Sequence, residues 1–185
     1  ADAYALAQRV QPHNLWLRLG EANALVALGE TVLASGVLER MGDPDDPRLL
    51  EAMFRSSLAV ARMEADLLAR DGQSLAAFEK YRLLMEVDPG PETLGGLARL
   101  YMRHWQYPVA QAFFEEGLKL APEMADLQMG LIVVLMARER LQEAQERATA
   151  LVALDPIPSH IQLAGEVERR RIIQRAIDAA AQDRA

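Results

Sequence analysis

Three histidines, a glycine pair and several carboxylate pairs are the residues of this chain whose types could carry chemistry. His13, His104 and His160 lie far apart and lack partners at metal-ligand spacing, so no metal site is expected from them. Cysteine is absent, which removes both a thiolate zinc site and a disulfide framework. Gly95-Gly96 could let a backbone approach a phosphate. However, no Lys-Ser/Thr follows it and the pair sits within a helical pattern, so close helix packing is the expectation. Glu115-Glu116 and Asp45-Asp46 read as solvated surface and capping carboxylates. Met124, Met129 and Met136 fall on helix faces, where packing in a core or groove is expected rather than redox chemistry. Arg169-Arg170-Arg171 could meet an acidic partner, but Glu166 and Glu168 stand at helical spacing to pair with them. No catalytic constellation, cofactor site or metal site is expected, and the chain reads as a non-enzyme.

The composition fits this reading. Of 185 residues, 51% are hydrophobic, enough for one substantial core or a repeat array. A formal net charge of −7 argues against nonspecific binding to nucleic-acid phosphates, so no nucleic-acid partner is expected. Aromatics are sparse while Ala, Leu, Glu and Arg abound, as in mostly helical proteins. The longest strongly apolar run, residues 131–137, is far too short to span a bilayer. No signal peptide is visible, and the chain begins with Ala1 rather than Met, which reads as an excised or processed piece.

The elements that must position any functional surface are clearest between Pro91 and Pro122. There Leu94, Leu97-Ala98 and Tyr101 are followed by Ala110, Phe114, Gly117 and Pro122. Small residues at Ala98 and Ala110 let two helix backbones approach, and Tyr101 and Phe114 fill the volume beside them. Trp105-Gln106-Tyr107 breaks the first helical pattern, and Pro108 is placed to open the second helix. Proline recurs in phase: Pro156 lies 34 residues after Pro122, and Pro89 lies 33 before it. Pro44 is 45 before Pro89, and Pro12 is 32 before Pro44.

This pattern resembles the tetratricopeptide repeat, a helix–turn–helix unit of about 34 residues. The resemblance implies an all-α fold, a right-handed α-solenoid of antiparallel helix pairs. It divides the chain as follows. Residues 1–12 are the second helix of a truncated repeat, with Tyr4 and Ala7 at the aromatic and small positions, so the chain is expected to be a piece of a longer array. Residues 13–46 are a degenerate repeat 1, with Trp16, Leu19-Gly20 and Asn23 at the family's Trp, Leu-Gly and Tyr positions. Val32 and Gly36 stand where Ala and an aromatic are usual, and Leu28-Gly29 with Thr31 reads as a helix stop and an N-cap. Residues 47–90 are repeat 2, with Ala65, Ala77 and Tyr81. Asp46 and Pro47 start its first helix, and nothing breaks that helix before Asp71-Gly72, giving a helix of about 23 residues by its start and stop signals. A separate short helix kinked near Ser56-Ser57 is the alternative. Residues 91–122 are repeat 3, and residues 123–156 are repeat 4, with Ala144 in place and Ala148 where the aromatic is usual. Residues 157–185 are a C-terminal capping helix and tail, with Ile161, Ala164, Val167, Ile173 and Ile177 as an apolar stripe.

The resemblance also implies where a ligand would sit. In this family the first helices of successive repeats line a concave groove. Projected onto this chain, the groove positions include Arg62, Asp66 and Arg70, then Arg99, Met102 and Arg103, then Met129, Val133 and Met136. Arginine forks suit carboxylates and methionines adapt to apolar side chains, so the implied partner is a protein or peptide that is acidic and carries an apolar anchor. The alternative is that these arginines pair with neighbouring Asp66, Glu92 and Asp126 and form a solvated wall. The family's chaperone-tail clamp is not expected, because its Lys and Asn positions hold Leu17 and Glu21. The repeat style resembles the periplasmic repeat regions of bacterial exopolysaccharide (cellulose- or Pel-type) export proteins. That similarity implies a non-catalytic scaffold that tethers components of an export or assembly machine, and a periplasmic rather than cytoplasmic setting. Two other readings are a carbohydrate-contacting segment of such an exporter and a regulatory array of a larger enzyme. The open half-repeat at the N-terminus would leave an apolar face through which two copies could pair.

Overall fold

The helices of this chain turn back at residues in the left-handed backbone region. In the computed structural model, which describes Gln11, residues 14–42 and residues 44–182, Gly29, Gly72, Trp105 and Glu139 have φ of 81°, 80°, 60° and 61°. The residue after each donates its amide back along the chain: Glu30 to Leu25, Gln73 to Leu68, Gln106 to Tyr101 and Arg140 to Leu135, at 2.9–3.1 Å. That bond closes a Schellman-type end on the first helix of each pair, satisfying a carbonyl the helix leaves open. Five residues beyond each turn stands a fully buried alanine: Ala34, Ala77, Ala110 and Ala144. Seven residues before each stands another fully buried residue: Ala22, Ala65, Ala98 and Ile132. These helix pairs therefore share one geometry: a close, buried contact between the two helices and a left-handed residue at the turn.

Nine helices and no strand are found among the described residues. They are α1 (Leu15–Ala27), α2 (Thr31–Glu39), α3 (Pro47–Arg70), α4 (Ser74–Val87), α5 (Pro91–Arg103), α6 (Tyr107–Leu120), α7 (Ala125–Ala137), α8 (Leu141–Leu154) and α9 (Pro158–Gln182). The chain has the all-α helix-pair class expected from its sequence. It divides into two units, Ala1–Asp88 and Pro89–Ala185. The half-repeat expected over residues 1–12, with Tyr4 and Ala7, lies outside the described residues apart from Gln11.

In the first unit, α1 pairs with α2 and α3 packs against both. Leu19, Ala22 and Leu25 of α1, Ala34, Val37 and Leu38 of α2, and Leu49, Met53 and Val60 of α3 form its core. The Asn14 side chain caps α1, and that of Asp46 caps α3, with Pro47 following it. The helix α3 is continuous for 24 residues. Its first half faces α1 and α2. Its second half is tied to α4, with Arg62 to Asp88 at 2.9 Å, Glu64 to Lys80, and the Tyr81 hydroxyl donating to Asp66 at 2.7 Å.

Repeat 1 corrects the sequence reading. Trp16 is 49% exposed and Gly20 is not buried, so neither is the contact expected from the family pattern. Val32, expected at a small packing position, is 80% exposed. The packing register lies two residues later, on Ala22, Ala34 and Leu38, because the left-handed turn at Gly29 fixes which helix faces meet. Thr31 is likewise not an N-cap: it is the first helical residue and is buried, and Glu30 precedes it without a side-chain cap.

In the second unit, α5–α6 and α7–α8 are the pairs, and α9 packs on α8 and α7. Leu127 of α7 enters a hole between two glycines. A Cβ on Gly95 would come within 2.6 Å of it and one on Gly117 within 2.9 Å. Gly130 makes the same room for the Phe114 ring, which is fully buried. Repeat 4 exchanges volume between its helices: Ile132 is large where the other pairs have Ala, and Ala148 is small where repeat 3 has Phe114. Ile132, Ala148 and Phe114 are all buried in one cluster. The expected stripe on α9 is only partly used. Val167 is buried and Ala164 packs beside it, but Ile161, Ile173 and Ile177 are more than half exposed. Only the first half of α9 reaches its neighbours, and residues 172–182 are exposed throughout.

Candidate functional site

The groove positions projected onto α3 turn inward to their own unit. Arg62 is engaged by the Asp88 carboxylate, and Asp66 accepts the Tyr81 hydroxyl. Both groups link α3 to α4 and its end. Arg70, in the last turn of α3, is exposed.

The second unit holds its own set on two first helices that lie side by side, α5 and α7. Most of α5 is buried from Thr93 to Ala98, and Leu100 is 1% exposed. Against that background Arg103 is exposed, and Arg99 and Met102 remain partly accessible. On α7, Val133 is 39% exposed and Met129 is partly accessible. Met136 departs from the projection. It is only 7% exposed and belongs to the core cluster, because α7 is apolar on every side and neighbours cover it nearly all round. Tyr101, expected as a packing residue, stacks on Phe113 with ring centroids 5.5 Å apart. Ala65, Ala77, Tyr81, Ala98, Ala110, Phe114 and Ala144 are all buried.

Several polar groups that could have carried chemistry serve the structure. The His160 ring is 1% exposed and its Nδ1 donates to the Asp155 carbonyl at 2.7 Å, fixing the chain entering α9. His104 is the exposed C-cap of α5, and His13 lies outside the described residues. Arg169 and Arg170 both pair with Glu166, and Arg171 pairs with Glu168. Hydrogen bonds from Arg169 and then Arg170 hold the Glu166 carboxyl below the usual carboxylate range. Among the described residues no group of three or more His, Asp or Glu could hold a metal ion, and no helix is long and apolar enough to cross a membrane.

Stacked helix pairs with small residues at the pair contact and an open first-helix face define the tetratricopeptide-repeat type of fold. No protein-family model matches the chain, and no curated protein matches it. Solved structures share the fold. A point mutant of MamA aligns over 85% of this chain and 87% of its own, at 16% identity and a TM-score of 0.54. Yeast Tom70 aligns over 94% of this chain at 17% identity and a TM-score of 0.68, and the chain spans 43% of it. YrrB, described as a TPR protein with an unusual peptide-binding site, aligns over 91% of this chain and 84% of its own, at 14% identity and a TM-score of 0.54.

Proposed function

We propose that this chain is a non-catalytic scaffold that binds a partner protein or peptide on the first-helix face of its second unit. One observation carries the reading: α5 and α7 are largely buried, yet Arg99, Met102, Arg103, Met129 and Val133 stay accessible on adjacent helices. Guanidinium groups beside flexible apolar side chains suit an acidic segment with one apolar anchor. The peptide-binding site in YrrB's description supports binding as a use of this fold. The repeat style favours a bacterial, periplasmic setting in which the scaffold tethers components of an export or assembly machine, exopolysaccharide secretion among them.

The carbohydrate-contacting alternative has one observation in its favour. Trp105 is 78% exposed and set edge-on to Tyr107, and it occupies a left-handed conformation that a bulky residue rarely adopts.

The test compares proteins retained from source-cell extracts by the wild type and by an Arg99→Glu, Arg103→Glu double variant whose helicity is checked by circular dichroism. A protein held by the wild type and lost from a still-helical variant is the expected result. Equal retention by both would refute the site. Retention of a polysaccharide that depends on Trp105 would favour the alternative.

A further inference from the structure

The first unit contains a cleft of about 430 Å³ between α2 and α3, within the size range of ligand pockets. Its origin is visible in the spacing of the repeats. Ser56, buried in the first half of α3, stands 34 residues after Ala22, one full repeat later. Ala65 follows nine residues further along the same helix, and α4 is built on that second register. Nine helical residues advance about 13 Å, so α4 is displaced along α3 by that length. The helices α2 and α4 make no contact, and the flank of α3 beside α2 stays open.

The lining of the cleft selects for charge. Leu38, Met53 and Val60, all nearly buried, form its apolar floor beside the more accessible Ala61, and the Glu39 and Glu64 carboxylates contribute charge. Glu64 is paired with Lys80. Glu39 makes no hydrogen bond or ion pair among the described residues; it ends α2 and faces the cleft, whereas Arg40, the C-cap that follows it, is not among the cleft's lining residues. No Lys or Arg lines the cleft, so a cationic head entering it meets a carboxylate without a partner. On α3, Ser57, Ala61 and Glu64 of the cleft lie about half a turn from Arg62, Asp66 and Arg70, so the cleft is separate from the groove face.

We propose that this cleft docks a basic segment of a partner protein, with a Lys or Arg head on Glu39 and an apolar side chain against Leu38, Met53 and Val60. The charge preference is opposite to that of the arginine face of the second unit. Failure at one site therefore leaves the other untouched.

The experiment is a titration of the isotope-labelled full chain, followed by amide NMR, with a short capped peptide alternating leucine and lysine. Its leucine–glutamate counterpart is the control. The expected result is saturable shifts at the amides of Glu39, Ser57 and Glu64 with the lysine peptide and none with the glutamate peptide. Glu39→Gln, a change at an exposed residue, should weaken binding roughly tenfold or more. Ala61→Phe, which fills the cleft, should abolish binding with no loss of melting temperature. Shifts spread over the acidic surface elsewhere, unchanged affinity in Glu39→Gln, or the absence of saturation at these amides would each overturn the proposal.

Discussion

At the scale of single residues, the left-handed turn position divides the helix pairs into two that meet it with glycine and two that do not. Gly29 and Gly72 have no Cβ to strain, whereas Trp105 and Glu139 hold φ near 60° with a side chain attached. An L-residue in this region costs about 1–2 kcal/mol. Glu139 is exposed, so replacing it removes strain without removing packing. Glu139→Gly should therefore stabilise the chain by about 1 kcal/mol, and Gly72→Ala should destabilise it by about as much, each net of changes in the unfolded chain. For a chain of this size the two changes move the melting temperature by about 2–4 °C in opposite directions, and paired thermal melts would show it. Equal or same-sign shifts would mean that the turn geometry does not limit stability.

At the scale of elements, the sequence was informative where small residues, prolines and breakers agreed. The all-α helix-pair class could be read from Ala98, Ala110, Phe114 and the proline phase. Repeat 1 misled because Trp16, Leu19 and Gly20 imitate the family signature two residues too early. The residue that decides the register is Gly29, which stands as far from Ala34 as Gly72 does from Ala77. The volume exchange between Ile132 and Ala148 could not be read from a pattern that treats each position alone. Internal pairing of the groove arginines could be foreseen, but not the partners that Arg62 and Asp66 take, because Asp88 and Tyr81 belong to a later part of the chain. The helix α3 shows most clearly what one element can be asked to do. Its first half closes α1 and α2, and its second half begins a new pair at Ala65, which is fully buried. Overfilling such a contact costs about 1–3 kcal/mol. Ala65→Leu should lower the free energy of urea unfolding by that amount, whereas a similar change at exposed Ala76 should leave it within about 0.5 kcal/mol. Equal effects at the two sites would mean that the second half of α3 does not depend on close approach to α4.

At the scale of the whole molecule, burial is distributed unevenly, and the unevenness predicts where the chain opens. In the second unit α7 is covered nearly all round, with Leu127, Leu131, Ile132, Val134, Leu135 and Met136 buried. Its amides can exchange only when the surrounding pairs come apart, so they should report the global stability of that unit. The far half of α9 is the opposite case. Residues 172–182 are helical but exposed throughout, and Ile172, Ile173 and Ile177 spend apolar surface on water. An isolated helical stretch of that length is marginal on its own, and its side chains add no burial to hold it. In hydrogen exchange followed by mass spectrometry, peptides from 172–182 should reach full deuteration at the earliest labelling times and α7 peptides only at the latest. Strong protection of 172–182 would contradict this expectation, and it would arise either from a second molecule that covers those isoleucines or from a helix that is stable by itself. Repeating the measurement over a range of protein concentrations separates the cases, since protection supplied by another copy rises with concentration and protection intrinsic to the chain does not.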